Sequence, residues 1–570
     1  MLHDPWFWAA AIPAVILVGL SKGGLGPLGG LAVPILSLVI SPVTAAGLTL
    51  PIFVLSDVVA VISYRRNFDW PVLRTMLPAA LVGIGAGWLT AAWISDDAVR
   101  LIVGAVSVLF SLNYWFRGRL QADPSKPSTP KGLGFLAFTE GWVGFSYYGM
   151  QSLLVLYMTS YLLHPGHIER ILGFDAFRAA IAPLYGHVSG QPLASAITGL
   201  YGAIAYATPL LGGLVADRLI GRTASIVAGS VLMTIGHFLM AFDVSFLLAL
   251  LCLVTGTGLA GTLKAQVGGL YPRGDLRRGD AFQIYTLAVQ IAVIGAPIVC
   301  GTLGEKVAWH WGFGAAGVGM AIGLGVYVSG LKWMPPDPIA RRTDRASRPK
   351  MTAGEWRTVG VLVLLLPILA VAYIGNNEIF NAYLLWGKAN FQLEFFGQTM
   401  PVSWLLSMDA VVSTGTVLFV IWFWRWWASR WKEPDEIVKV GAFGLIAALG
   451  PLVLAAASVY ASGGHKVGLG WGLAFHIIND IGFSGMYPIG MALFSRAAPP
   501  ALGATIVNAY VFSIFLCNLL TGKLAGMLST MSGAAFWGMH AAMVAGASVL
   551  LLVCARLFRR ILAPKTEADH

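Results

Sequence analysis

Long apolar runs constrain this chain more than any other feature of its sequence. Of its 570 residues, 57% are hydrophobic and only 11% are charged, whereas soluble domains carry roughly 25% charged residues. So few charged side chains cannot cover a soluble surface of this size, and most of the surface must therefore face lipid. The composition excludes a nucleic-acid-binding protein, a disulfide-rich secreted domain and a disordered scaffold.

The apolar runs are long enough to cross a bilayer as helices, which takes about 20 residues each. Strands are excluded because the runs do not alternate and would leave sheet edges in lipid. We expect about four spans in residues 1–118, followed by a cytoplasmic linker rich in Pro, Ser and Lys at 119–132. Twelve apolar runs follow within 133–562, before a short tail at 563–570. The predicted fold class is an all-α polytopic membrane protein.

The basic residues predict which loops face the cytoplasm. The net charge is +11, and most of the 37 lysines and arginines fall in every second loop. Because Lys and Arg collect in cytoplasmic loops, we expect both termini in the cytoplasm and the spans in the cell's inner membrane. The longest basic loop, 332–357, separates spans six and seven of the second block. Two six-helix halves joined in this way are typical of a major facilitator-type bundle.

Four segments of the second block carry a family resemblance. They are FTEGWVGFSYYGMQSLLVLYM (138–158), YATPLLGGLVADRLIGRT (206–223), LYPRGDLRRGDAF (270–282) and CGTLGEKVAWHWGFGAAGVGM (300–320). In order and spacing they resemble the proton-dependent oligopeptide transporter (POT) family over roughly 133–560. The resemblance implies a secondary transporter that takes up di- or tripeptides, or related small zwitterions, together with protons. It implies no cofactor.

The first span of this block departs from the family pattern at two charged positions. The family usually has Glu-x-x-Glu-Arg-Phe; this chain keeps Glu140 but has Val143 and Gly144 in place of the second acid and the arginine. Losing the arginine removes a bidentate partner for a peptide carboxylate. Because the acid and the arginine are lost together, neither charge is left buried alone. The departure is therefore interpreted as a rewired coupling motif.

Further polar residues lie in or near the spans, where ionisable groups are costly and usually functional. The predicted proton-coupling residues are Glu140, Glu378, Asp409 and Asp480. By comparison with the family pattern, the resemblance implies that Tyr148, Tyr206, Lys264, Gln290 and Asn377 bind substrate. The predicted cytoplasmic gate consists of Asp217, Arg218 and Arg222. Structural roles for the acids, a merely solvated gate loop and snorkelling of Lys264 to the interface remain alternatives.

The first block resembles a different family. GLSKGGLGPLGGLAVPILSLVISP (19–42) and YRRNFDW (64–70) are similar to the N-terminal half of the sulfite exporter TauE/SafE permeases. The resemblance implies an anion site at Lys22; the alternative is that the glycines pack helices closely and Lys22 reaches the interface. Those permeases usually have two repeats, of which only the first is recognisable here. An appended half-permease domain is therefore expected.

Two other functions remain possible besides a peptide–proton symporter. One is a sulfite or organosulfonate exporter formed by 1–118, and the other is a non-transporting receptor or scaffold derived from a transporter. No enzyme is predicted, since the sequence has no nucleophile elbow, HExxH motif or P-loop. No metal site is predicted either, because His476 stands one turn before Asp480, a possible hydrogen-bond partner, without a third ligand. The expected partners are a peptide-like solute, protons and lipid but no nucleic acid, and the oligomeric state is left open.

Overall fold

A computed structural model of the chain divides into two compact units, Met1–Ser128 and Thr129–His570. The structure describes residues 5–22, 32–37, 39–41, 44–45, 47–54, 130–272, 275, 277–337, 351–395, 397–499 and 502–562. In the first unit, a helix at Pro5–Lys22 packs against a shorter one at Ala32–Leu36. Of the four spans predicted there, the first coincides with Pro5–Lys22, and the others lie largely outside the described residues.

The described residues of the second unit form twelve long helices, and the prediction of a twelve-helix bundle is confirmed. In chain order they are α1 (Lys131–Tyr157), α2 (Gly190–Val215), α3 (Arg222–Leu239), α4 (Phe246–Ala260), α5 (Arg277–Lys306), α6 (Trp309–Ser329), α7 (Ala353–Ala372), α8 (Trp404–Ala428), α9 (Glu436–Ala461), α10 (Leu469–Ala497), α11 (Gly503–Leu524) and α12 (Gly533–Leu557). Each helix falls on one of the predicted apolar runs.

Shorter elements extend or connect these helices. The helical ones are Met158–Leu162, Ile168–Arg170, Phe174–Tyr185, Ala216–Ile220, Asp243–Ser245, Leu263–Gly269, Leu331–Trp333, Ile374–Asn377, Glu378–Phe380, Ala382–Asn390, Ala525–Ser529 and Arg559–Leu562. Two short antiparallel strands, β1 (Glu394–Phe395) and β2 (Gln398–Thr399), form a hairpin with Glu394 opposite Thr399. The hairpin precedes α8.

Ten helices in the described part of the chain are long and apolar enough to span a membrane. The two other long helices of the bundle are α1 and α10, which carry polar residues in their middle turns. Glu140 lies in α1, and His476 and Asp480 lie in α10. Both helices thus carry titratable side chains inside the bundle, as do α8 with Asp409 and α12 with His540.

The two halves, α1–α6 and α7–α12, contact each other mainly toward one end. We call the end at which α1 begins and α6 ends the basic side, because Lys131 and Lys332 lie there. Contacts between halves are made chiefly by α2 with α11 and by α5 with α8. At the α2–α11 contact, a Cβ on Gly199 would lie only 2.4 Å from the Gly522 Cα. Because these contacts gather toward the opposite, non-basic side, the bundle is closed there.

Glu305, near the end of α5, strengthens this closure. Its carboxylate oxygens accept hydrogen bonds from the backbone N–H groups of Val402 and Ser403, at 2.8 and 2.9 Å. These N–H groups precede the first turn of α8, where a carboxylate satisfies free donors and complements the helix dipole. The bond therefore joins the two halves at the non-basic side.

Asp337, which follows α6, holds the first turn of α3. Its Oδ2 accepts a hydrogen bond from the backbone N–H of Thr223 at 2.7 Å. Burial acts to raise the pKa of Asp337, but hydrogen bonds from the backbone N–H groups of Thr223 and Arg222 outweigh it, and the pKa lies below its usual value. The charged form of Asp337 is thus the one that stabilises the start of α3.

We expect Asp337→Ala to lower the free energy of unfolding by about 1 kcal/mol at pH 7, as loss of a helix cap does. Because the folded pKa is depressed, the contribution is present above the unfolded pKa and is lost as the pH falls through the folded value. Unfolding in detergent between pH 7 and pH 3 measures this. The difference in the free energy of unfolding between wild type and variant should become smaller toward pH 3. Asp280→Asn, at an exposed acid in the first turn of α5, controls for loss of charge; an equal effect there would contradict the capping role.

Candidate functional site

Glu140 of α1 is the first of the predicted proton-coupling residues. Its carboxylate lies beside the Tyr285 hydroxyl of α5, and the Lys264 ammonium is near enough to attract it. Lys264 is exposed on the short helix that follows α4. The structure therefore brings together an acid and a cation to which the sequence assigned different roles.

Close packing of α1 on α5 occupies the place where the family has its arginine. A Cβ at Gly144 would lie 3.3 Å from the Ala292 Cβ, and one at Gly141 would lie 3.5 Å from the Ala288 carbonyl oxygen. Interiors packed at this density leave little room for a long side chain directed at α5. The loss of the arginine is thus accompanied by tight contact between the two helices.

Tyrosines surround Glu140 in the interior. Tyr148 lies within electrostatic range of both Glu140 and Asp409, so it stands between acids of the two halves. Tyr206 of α2 shares a hydrogen bond with Tyr147. Its side chain is 36% exposed, so a ligand can reach it. The predicted substrate residues Tyr148 and Tyr206 are therefore near the predicted proton site.

The two predicted amide ligands are engaged in contacts between helices. Gln290 Nε2 donates to Thr414 Oγ1 at 2.9 Å and joins α5 to α8 across the halves. Asn377 Oδ1 accepts from Asn518 Nδ2 of α11 at 3.2 Å. In this conformation both amides therefore help to hold neighbouring helices together.

Glu378 forms a fully buried pair with His540 of α12, with 3.2 Å between Oε1 and Nε2. The other ring nitrogen, Nδ1, lies 2.8 Å from the Phe536 carbonyl oxygen, which can only accept, so Nδ1 carries a hydrogen. The bond between Nε2 and Glu378 then requires another proton on the imidazole or on the carboxylate. The geometry of the pair thus provides a place for a proton inside the second half.

The two remaining acids, Asp409 of α8 and Asp480 of α10, lie together with His476. His476 Nδ1 is 2.8 Å from Asp409 Oδ1, and His476 Nε2 is 2.9 Å from the Tyr383 hydroxyl. One donor atom from each of Asp409, His476 and Asp480 lies within 4.8 Å of the other two. The prediction that His476 bonds to Asp480 is therefore wrong. His476 contacts Asp409 instead, because α8 packs on the same face of α10.

The predicted gate residues lie at the basic side, around the segment Ala216–Ile220. Asp217 Oδ1 accepts from Arg222 Nε at 2.9 Å, which joins the end of α2 to the start of α3. Arg218 is exposed in the same segment. Exposed ion pairs contribute little to stability, so this pair can open and reform without a large cost.

Two residues differ from the others in how they relate to the sequence prediction. Lys22 ends the helix Pro5–Lys22, and its side chain lies outside the described residues. His540 was missed in the sequence, where its one signal was a lone histidine within an apolar run. Its partner Glu378 is 162 positions away, and no pattern within one helix connects the two.

Comparisons with known proteins confirm both resemblances. Residues 223–374 match the model of the POT family, and residues 11–239 match that of the sulfite exporter TauE/SafE family. The TauE/SafE match continues beyond residue 118, where the sequence predicted the first domain to end, and reaches α3. The two matches overlap within α3.

Curated relatives and solved structures point to the POT family as well. The chain is 24% identical over 505 residues to the peptide transporter YePEPT of Yersinia enterocolitica, covering 76% of this chain and 94% of the relative. It is 32% identical over 319 residues to a di-/tripeptide transporter of Lactococcus lactis subsp. cremoris, covering 55% and 56%. A crystal structure of a POT peptide transporter mutant with alafosfalin superposes with a TM-score of 0.67 at 24% identity, covering 77% of this chain and 98% of that one. The bundle therefore has the fold of these transporters.

Proposed function

We propose that this chain is a secondary active transporter that takes up di- or tripeptides, or related small zwitterions, together with protons. The second unit carries this function across the inner membrane, with both termini in the cytoplasm. One observation supports the proposal most: Glu140 lies beside Tyr285 and Lys264, next to Tyr148, in a bundle closed at the non-basic side. The POT relatives named above support the same substrate class.

The pair formed by Glu140 and Lys264 provides a way to couple protons to substrate. While Glu140 is ionised, it attracts the Lys264 ammonium. When Glu140 takes up a proton, this attraction ends, and Lys264 is free to bind the carboxylate of an entering peptide. Since the family arginine is replaced by Gly144, Lys264 takes over its role in this scheme. Proton binding then strengthens substrate binding, as a symporter requires.

A second proton is carried by the pair of Glu378 and His540. It lies where α7 is interrupted between Ile374–Asn377 and Ala382–Asn390, next to Asn377. Breaks of this kind in transporter helices line substrate sites and change shape during alternating access. Movement of the broken segment changes the 3.2 Å contact between the two side chains and so releases or binds the proton.

Reconstitution in liposomes tests the proposed function. Uptake of labelled dialanine should rise when an inward proton gradient is imposed and should fall when the gradient is collapsed. Uptake at the same rate with and without the gradient would indicate a facilitator. Sulfite flux without dialanine flux would favour an exporter formed with the first unit. Absence of any flux would favour a receptor or scaffold.

The sulfite exporter remains the second candidate because residues 11–239 match that family. We propose that residues 1–118 are instead an accessory half-permease domain, joined by the linker 119–132 to the transporter domain 133–562 and the tail 563–570. Deleting 1–118 is then expected to leave the dialanine uptake rate within about twofold of the full chain, measured per folded protein in the same liposomes. Loss of uptake in a deletion variant that still elutes as a monodisperse peak would contradict the accessory role.

A further inference from the structure

The cluster of Asp409, His476 and Asp480 in the second half has a composition that a proton pathway alone does not require. It combines two carboxylates and an imidazole, all of them oxygen or nitrogen donors of the kind that bind divalent transition metals. The donors come from two different helices, α8 and α10. The three side chains therefore come together only where α8 packs on α10.

Asp480 supplies the cluster with a buried oxygen that has no partner among the described residues. Asp480 is 1% exposed, and its Oδ2 has no hydrogen-bond partner in the part of the chain that the structure describes. The carboxylate of Asp409 lies close enough to repel it. A polar oxygen buried this deeply without a hydrogen-bond partner is costly. A cation among the three groups removes this cost.

The geometry suits a metal ion. Zinc is bound at about 2.0–2.2 Å by imidazole nitrogen and carboxylate oxygen, so its ligand atoms lie about 3.3–3.6 Å apart in a tetrahedral site. The three donors are already within 4.8 Å of one another, and small side-chain rotations bring them onto one ion. A divalent ion with two carboxylates and a neutral imidazole is electrically neutral, which burial favours.

The surroundings supply an orienting contact and an entry route. Tyr383 lies 2.9 Å from His476 Nε2, and a hydrogen bond there leaves Nδ1 as the metal-binding nitrogen. The side chain of Asp409 is 15% exposed, whereas that of His476 is fully buried. A cation can therefore reach the site from the side of Asp409. With three protein ligands, a fourth position remains for water or for a polar group of a solute.

We propose that Asp409, His476 and Asp480 form a binding site for one divalent transition-metal cation of the zinc type. The proposal does not depend on peptide transport. The metal and the hydrogen bond between His476 and Asp409 use the same nitrogen, Nδ1, so metal binding replaces that 2.8 Å contact.

The test uses full-length protein purified without a histidine tag and stripped with chelator. Zn²⁺ should bind with one-to-one stoichiometry in titration calorimetry. Co²⁺ should give visible absorption bands of a low-symmetry site with nitrogen and oxygen ligands. Asp480→Asn and His476→Gln should each weaken Zn²⁺ binding at least about tenfold, and Tyr383→Phe, a positioning change, should weaken it about tenfold while keeping the stoichiometry.

A matched control is available within the same chain. His167 and Asp243 lie 2.7 Å apart as a two-member pair, so His167→Ala removes a similar histidine–acid contact without touching the cluster and should leave Zn²⁺ affinity unchanged. All variants must elute as monodisperse protein with unfolding midpoints near that of wild type in the absence of metal. Wild type that binds no Zn²⁺, or binds it as tightly after Asp480→Asn and His476→Gln, would overturn the proposal. In that case the cluster holds protons only.

Discussion

Replacing Glu140 with glutamine is expected to abolish uptake driven by a proton gradient while leaving exchange of dialanine between the two sides of the membrane intact. Glutamine keeps the size and hydrogen bonding of a protonated glutamate but cannot titrate. Without the negative charge, Lys264 is no longer attracted away from substrate, so peptide binding persists but ceases to depend on pH. Gradient-driven accumulation in liposomes should fall at least about tenfold, and counterflow should stay within about threefold of wild type.

Glu169→Gln provides the control for this experiment. Glu169 is an exposed acid at the non-basic side that accepts a hydrogen bond from the Gly166 N–H, so its loss should change neither assay appreciably. Retention of full gradient-driven uptake in Glu140→Gln would show that Glu140 is not the coupling acid. The pair of Glu378 and His540 would then be the next site to test.

Introducing a leucine at Gly199 is expected to prevent closure of the non-basic side. A Cβ there would lie 2.4 Å from the Gly522 Cα and 2.6 Å from the Asn518 carbonyl oxygen, both backbone atoms that cannot move aside independently. Forced overpacking typically costs about 1–3 kcal/mol, which shifts the balance between the closed and open arrangements of this side by roughly five- to 150-fold. Uptake should fall accordingly, because the closed arrangement is one of the two that transport alternates between.

Two measurements separate this effect from misfolding. In a cysteine-free background, Ser195→Cys places a thiol at a position that is fully buried in the closed arrangement. Membrane-impermeant maleimide should label it faster when Gly199→Leu is present. Gly538→Leu is the matched control, since a Cβ at that helical glycine has nothing within 4 Å. Unchanged uptake and labelling in Gly199→Leu would contradict the closed α2–α11 contact.

The helices could be predicted from the sequence, but the contacts between their side chains could not. Twelve apolar runs separated by loops of alternating charge are enough to predict α1–α12, because the bilayer restricts a spanning chain to helices of nearly fixed length. Acids such as Glu140 and Asp480 could be recognised as candidate functional residues, since charged side chains within a span are rare. Their partners could not, because partner choice depends on how each helix is rotated against its neighbours.

The cluster around His476 illustrates this limit. Spacing along α10 brings Asp480 near His476, and that much is visible in the sequence. Asp409 is 67 positions away from His476 and joins it only because α8 packs on α10. Likewise, the sequence reveals that Gly144 replaces an arginine, whereas the tight contact of Gly144 with Ala292 becomes visible only when α1 and α5 are placed side by side.

The central claim is that this chain couples protons to a peptide-like solute. Its most direct test is to measure whether added peptide causes protons to cross the membrane. Liposomes containing the protein and a trapped pH-sensitive dye are held at a negative internal potential without an initial pH difference, and dialanine is added outside. The internal pH should fall on addition of dialanine in wild type, and should not fall in Glu140→Gln. Entry of labelled dialanine into the same liposomes without any change of internal pH would contradict proton coupling.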